Sequence, residues 1–141
     1  MTVSLVNRYA FCFVFDRSGK VLVLKRADFM RKRPGEWDLP GGRIHDDESL
    51  ENGVEREVSE ETGLKVSALE LVTRGSGEHK GETHEFSYFR SIVTYTEISL
   101  SEEHTEYEWH EPLVASTLVT YKPHIMGLQV AQALDGYVTQ K

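Results

Sequence analysis

The sequence predicts an α/β/α sandwich built on a mixed β-sheet, and three observations lead there. Runs rich in β-branched and aromatic residues stand both before and after one sharply delimited helical segment, so strands from either side of that helix share a sheet. A second helical pattern, residues 124–134, supplies further cover. The 141 residues, with 39% hydrophobic and 28% charged side chains, suit one domain that buries a core without disulfides or a structural metal, so residues 1–141 are read as a single domain.

Residues 8–16 read as a buried strand, and Asp16, Arg17, Ser18 and Gly19 provide the turn into a second apolar run, residues 21–24, making a β-hairpin. The pattern then breaks over residues 25–34 into a basic loop carrying Phe29 and Met30. Residues 34–42 hold too many breakers for a helix and read as extended chain ending in the Gly41-Gly42 turn. A helix follows over residues 49–62, with Ser49 as N-cap and Gly63 as the left-handed terminator. Residues 66–74 and 84–95 read as strands separated by a Gly-rich turn at 75–81. Residues 102–108 read as an acidic loop and residues 108–110 as a short strand. Ile125, Leu128 and Ala131 set the spacing of the last helix.

A net charge of −7 excludes a broad basic face, and with it a polymeric nucleic-acid partner. An acidic chain can still handle phosphates through divalent cations, which reverse the local field. The single cysteine, Cys12, lies in an apolar run, which rules out an internal disulfide or a cysteine zinc cluster and reads as a buried core thiol. With no basic-then-apolar leader and no run of about 18 apolar residues, the chain is expected to be cytoplasmic, away from membranes. A homodimer is allowed for.

At about 100° per residue, Glu57, Glu60 and Glu61 fall within an arc of roughly 100° on one helix face, while Val54 and Val58 lie on the stripe that packs on the sheet. The end of a helix favours cations, yet here Glu55, Glu57, Glu60 and Glu61 stand against Arg56 alone. Clustered carboxylates are the ligands hard Mg²⁺ or Mn²⁺ takes. In isolation such a helix reads as a solvated acidic face, and the surrounding pattern decides the matter.

Gly42, Glu48, Arg56, Glu57, Val58, Glu60, Glu61, Gly63 and Leu64 form G-x5-E-x7-R-E-V-x-E-E-x-G-L. This resembles the signature of the Nudix hydrolase family at every defined position. The run of Val21, Leu22, Val23 and Leu24 and the stretch 34–42 resemble the family's approach to its box, so the likeness covers nearly the whole chain.

The resemblance implies a Mg²⁺-dependent hydrolase (Mn²⁺ as alternative) that cuts a phosphoanhydride bond in a small nucleotide-like substrate. Glu57, Glu60 and Glu61 would hold metal with the backbone carbonyl of Gly41, and Glu48 and Arg56 would orient them. Family members commonly take a further glutamate from a distant loop as ligand or base; Glu103 is expected here, with Glu106 as alternative. Arg26, Arg33 and Arg43 are candidates for phosphates, and Phe29, Trp37, Tyr88 and Tyr121 for stacking a base. Both tryptophans, Trp37 and Trp109, read more readily as packing residues, and Arg33 more readily as a solvated charge. His84, His104 and His124 show no zinc spacing and are given no metal role.

His45, Asp47 and Gly53 depart from residues many members carry, at positions the signature leaves undefined. By propensity Gly53 costs the helix about 1 kcal/mol relative to Ala, and Asn52-Gly53 reads locally as a turn. Subtraction of subfamily marks leaves nucleoside triphosphates and nucleotide sugars as substrates. Two other readings differ in class: a Nudix-fold sensor that binds without cutting, which loss of a metal glutamate would mark, and an isomerase, which would need a reactive cysteine in the pocket.

Overall fold

The structure, a computed structural model, describes residues 6–139; the two ends of the expected domain, residues 1–5 and 140–141, lie outside the described residues. Seven strands form one sheet: β1 (Val6–Phe15), β2 (Val21–Arg26), β3 (Trp37–Asp38), β4 (Gly41–Arg43), β5 (Glu70–His79), β6 (Glu82–Ile92) and β7 (His104–His110). The helices are α1 (Leu50–Thr62), α2 (Pro112–Leu118) and α3 (Lys122–Thr139). The sheet is mixed, because β1 runs parallel to β6 over ten residue pairs while every other pairing is antiparallel.

Period-two alternation along β1 divides the core. Ala10, Cys12 and Val14 join Leu22, Leu24 and Phe89 beneath Val54 and Val58 of α1. Phe11, Phe13 and Phe15 join Val21, Val23 and Tyr88 beneath α2 and α3 through Ala115, Leu128 and Ala131. The expected α/β/α sandwich is therefore present, with Trp109 packed on the first core and Trp37 on the second. No helix among the described residues is long and apolar enough to cross a membrane.

β1 and β2 pair only at Phe15 and Val21. Toward the other end β4 takes the place beside β1, with Phe11 opposite Gly41, Ala10 opposite Gly42 and Tyr9 opposite Arg43. Only glycine can fill position 41: its φ is +142°, and a Cβ there would lie 2.3 Å from the Ala10 carbonyl oxygen. The strands thus splay apart where the glycines enter, and α1 lies over that opening.

α1 starts as expected, with Ser49 Oγ accepting the Asn52 N–H at 3.1 Å, and stops at Gly63, whose φ is +77°. It runs unbroken through Gly53, overriding the local turn signal. A Cβ on Gly53 would stand 2.6 Å from Ile44 Cδ1, so the missing side chain lets the helix settle against the segment after β4.

Several expected boundaries need correction. β5 continues through Gly75 and Gly77 to His79, and the turn falls at Lys80 and Gly81, because β6 supplies cross-strand partners all along that stretch. The acidic loop at 102–108 is mostly strand: β7 begins at His104 and pairs with β2. Between that strand and α3 lies α2, opened by Pro112 at its first turn, a helix not foreseen from the sequence.

Candidate active site

Helix phase and depth grade the three glutamates. Glu61 is nearly buried, Glu57 half-buried and Glu60 exposed, with side chains 7%, 17% and 59% accessible. Glu61 Oε1 accepts the Gly41 N–H at 2.8 Å, so the contact seen between that glycine and the acidic face runs through its amide. Glu57 lies against Gly42, where a Cβ would come within 3.0 Å of its Oε2. Glycines at 41 and 42 let the carboxylates approach the backbone.

Arg56 organises the face from one side. Its Nη2 and Nε meet Glu48 Oε1 at 2.7 Å and Oε2 at 3.1 Å, a two-pronged grip, while Nη1 reaches Glu57 at 3.1 Å and Glu60 at 3.2 Å. Glu48 also accepts the His45 N–H at 2.8 Å. The hydrogen bonds from Arg56, then that amide, hold the Glu48 carboxyl down at about 2.

Burial acts the other way on the helix face. It pushes Glu57 above the usual carboxylate range against the opposing pull of Arg56, and it pushes Glu61 well above that range despite the Gly41 amide. Glu57 feels Glu60 and Glu103 besides, and Glu61 feels Glu57, Asp38 and Glu103. Glu103, in the turn before β7, is therefore near both buried glutamates. Glu106 sits within β7 opposite Lys25 and pairs with its Nζ at 3.3 Å.

His104 adds to this environment: 4% exposed, its Nδ1 lies 4.0 Å from Glu61 Oε2, and neither ring nitrogen has a hydrogen-bond partner among the described residues. Ser101 Oγ is likewise buried and unpartnered. Burial lowers the His104 pKa, which keeps the ring neutral beside the carboxylates.

No three acidic or histidine side chains among the described residues already converge as an ion cage. Arg56 draws Glu57 and Glu60 to one side, and Gly41 holds Glu61. The donor chemistry fits a hard divalent cation nonetheless: the side-chain donors are carboxylate oxygens, and among the described residues the one cation beside them, Arg56, bonds Glu57 and Glu60 while nearly buried Glu61 has only the Gly41 amide.

A cleft of about 610 Å³ opens on the opposite face of β1, lined by Tyr9, Phe11, Arg33, His84, Phe86 and Tyr121 among others. Tyr9 and Phe11 are the β1 residues beside Arg43 and Gly41, so cleft and glutamate face adjoin along the β1–β4 pair. Arg33 lies over the Tyr121 ring at 4.3 Å, and one of its terminal nitrogens, Nη1, is buried without a partner.

The expected substrate contacts divide. Phe29 is 69% exposed in the loop after β2, and exposed Arg43 bonds Asn7 Oδ1 at 2.7 Å. Arg26 is turned inward, donating to the Lys32 carbonyl at 2.9 Å and to Asp38 at 3.0 Å, so its guanidinium braces the loop. Tyr88 corrects the stacking role given to it: 3% exposed, it stacks with Phe11 and Phe13 in the core and its hydroxyl meets His124 Nδ1 at 2.8 Å.

Sequence reasoning missed the centre of that buried network. Asp38, 3% exposed, accepts from His124 Nε2 at 2.6 Å, the Leu39 N–H at 2.9 Å and Arg26. Burial opposes its charge, but His124, Arg33 and the Leu39 amide hold it below the usual range. A lone acid between Trp37 and Leu39, inside an extended segment, was the only available signal.

Glu61 and Glu57 lie against the Gly41-Gly42 strand and Arg56 holds Glu57 and Glu60, the arrangement the sequence resemblance leads one to expect of a pyrophosphohydrolase in an α/β/α sandwich. The NUDIX domain matches residues 6–126, and the chain belongs to the Nudix family. A MutT-like protein of Streptomyces ambofaciens is 34% identical over 125 residues, 87% of this chain and 73% of that protein. A nucleoside triphosphatase, NudI, of Escherichia coli is 26% identical over 117 residues, 75% of this chain and 83% of that one. The crystal structure of a MutT protein from Methanosarcina mazei Go1 superposes with a TM-score of 0.79 at 26% identity, covering 94% and 98% of the two chains.

Proposed function

We propose that the chain is a Mg²⁺-dependent hydrolase of a phosphoanhydride bond in a nucleoside diphosphate linked to another moiety, a nucleoside triphosphate or nucleotide sugar, with Mn²⁺ able to replace Mg²⁺. The observation that carries this reading is the placement of the Glu57 and Glu61 carboxylates against Gly42 and Gly41, on the strand pair that the aromatic cleft adjoins. The named relatives, a MutT-like protein and a nucleoside triphosphatase, support the nucleotide class.

Glu57, Glu60 and Glu61 would hold the cation, with the Gly41 carbonyl and Glu103 completing its surroundings. A cation held there would supply positive charge to offset that of the diphosphate during the reaction. Arg56 fixes the carboxylates' orientation and is itself held by Glu48. Tyr121 and Tyr9 line the cleft for a base, and Arg33, over the Tyr121 ring, and Arg43, beside Tyr9 on the neighbouring strand, are the cations available to the phosphates. Water attacks one phosphorus, the bridging P–O bond breaks, and Glu103 takes the proton, leaving two phosphorylated fragments.

The test is phosphate and pyrophosphate release from nucleoside triphosphates, nucleotide sugars and dinucleotides, with Mg²⁺ or EDTA, and with Glu60→Gln as control. Metal-dependent release that the substitution removes is expected. Tight nucleotide binding with no release across the panel would replace the enzyme by a sensor.

A further inference from the structure

β5 ends the sheet, pairing with β6 alone, and so presents a ten-residue edge. Such an edge templates pairing with another strand unless something blocks it. β5 contains no proline, is exposed from Arg74 to His79, and has only open space around Gly75 and Gly77.

The side chains along this edge are self-complementary. Arg74, Ser76 and Glu78 lie opposite Ser87, Glu85 and Thr83, whereas Thr73, Gly75 and Gly77 lie opposite Tyr88, Phe86 and His84, on the side that α3 covers. By alternation Arg74 and Glu78 share the side of the strand away from α3, with Arg74 also at the rim of the groove under α3 and Glu78 at the rim of the cleft, and neither has an ion pair or side-chain hydrogen bond among the described residues. A two-fold axis through Ser76 brings Arg74 of each copy opposite Glu78 of the other, twice. The sheet's other margin is unsuited to this: β7 carries Glu106 and Glu108 and is flanked by Glu103 and Glu111, so two copies there would repel.

α3 gives a second observation. Met126, Val130 and Leu134 form an exposed stripe at four-residue spacing, and Met126 and Val130 line the groove between α3 and β5. Two sheets joined at β5 place the two α3 helices about two to three strand spacings apart, roughly 10–14 Å. That is close to the 8–10 Å of packed helices, so the two stripes would cover each other.

We propose that the chain forms a homodimer by antiparallel pairing of β5 with β5 of a second copy, with Ser76 on the axis and Arg74–Glu78 pairs on either side. Sedimentation over a concentration series tests it. The wild-type chain should be dimeric, Arg74→Glu should raise the dimer Kd on the order of tenfold by setting like charges opposite each other, and Arg74→Glu with Glu78→Arg should restore it. Unchanged melting temperatures would show that the variants fold. Ser76→Cys should be linked within the dimer by a short bismaleimide, with Cys12 silent because it is fully buried. A monomer at high micromolar concentration, a dimer indifferent to Arg74→Glu, or a dimer whose Cys-substituted position 76 is not linked would each overturn the proposal.

Discussion

One guanidinium, Arg56, bonds three carboxylates, and its tightest grip is on the one that stands off the helix. Replacing Glu48 by Gln leaves the shape but frees Arg56 to settle on Glu57 and Glu60. Apparent metal affinity should then fall about 10–100-fold with little change in melting temperature, as calorimetric titration would measure. Glu61→Gln should lower kcat at least about 100-fold while the fold persists, since it removes charge and leaves core volume alone; wild-type turnover would sink the assignment. Glu103→Gln should reduce the rate more than Glu106→Gln, because Glu106 is already paired with Lys25. The shared face of Glu57, Glu60 and Glu61 was legible in the sequence because helix phase is a local property, whereas the roles given to them and the choice of Glu103 came from the family resemblance. The Asp38–His124 contact was not, since its partners are 86 residues apart and nothing in either's neighbours announces the other.

Elements were legible where their own residues decide them and illegible where a neighbour does. α1 carried its cap, its terminator and its apolar stripe in sequence. β5 looked like a turn beyond Arg74 because Gly75, Ser76 and Gly77 have no strand preference; the β6 ladder imposes the conformation. β7 looked like a loop because acidic residues interrupt it and its burial does not alternate; pairing with β2 imposes the strand. Gly53 separates the two kinds of reasoning experimentally. Propensity alone says Gly53→Ala stabilises α1 by about 1 kcal/mol. The approach of Ile44 says the opposite, about 1–3 kcal/mol of overpacking in chemical denaturation. The damage should shrink in an Ile44→Val background, which removes the atom that stands nearest.

Across the whole molecule, charge is arranged in two buried zones on opposite faces of the sheet, and they should respond differently to solution conditions. His124 sits at 0% exposure with both ring nitrogens bonded, and burial lowers its pKa despite Asp38. His104 is lowered by the same cause. Below about pH 6.5 the unfolded chain takes up protons that the native rings refuse. Stability should therefore be steady above that pH and fall as the pH drops through it, with His124→Gln flattening part of the slope in thermal melts. The glutamate face should give a ligand effect instead: Mg²⁺ should raise the melting temperature of EDTA-treated wild type and leave Glu60→Gln nearly unmoved. The sandwich as a whole was readable because the alternating runs and the helical stripes agree on which residues are inside.

The end of α1 carries a consequence for how this chain can vary in length. The carbonyls of Thr62 and Glu61, which a helix terminus leaves without partners, accept the N–H groups of Ser99 at 2.9 Å and Ser101 at 3.3 Å, and two residues later the Glu103 carbonyl accepts the Ala27 N–H at 2.8 Å. Residues 99–103 thus act as a ruler laid between the helix and the loop after β2. One added residue there would carry Glu103 out of reach of Glu57 and Glu61, whereas the Lys80-Gly81 hairpin tip could lengthen freely. Natural variants and engineered insertions should sort accordingly, crowding at the tip and sparing the ruler.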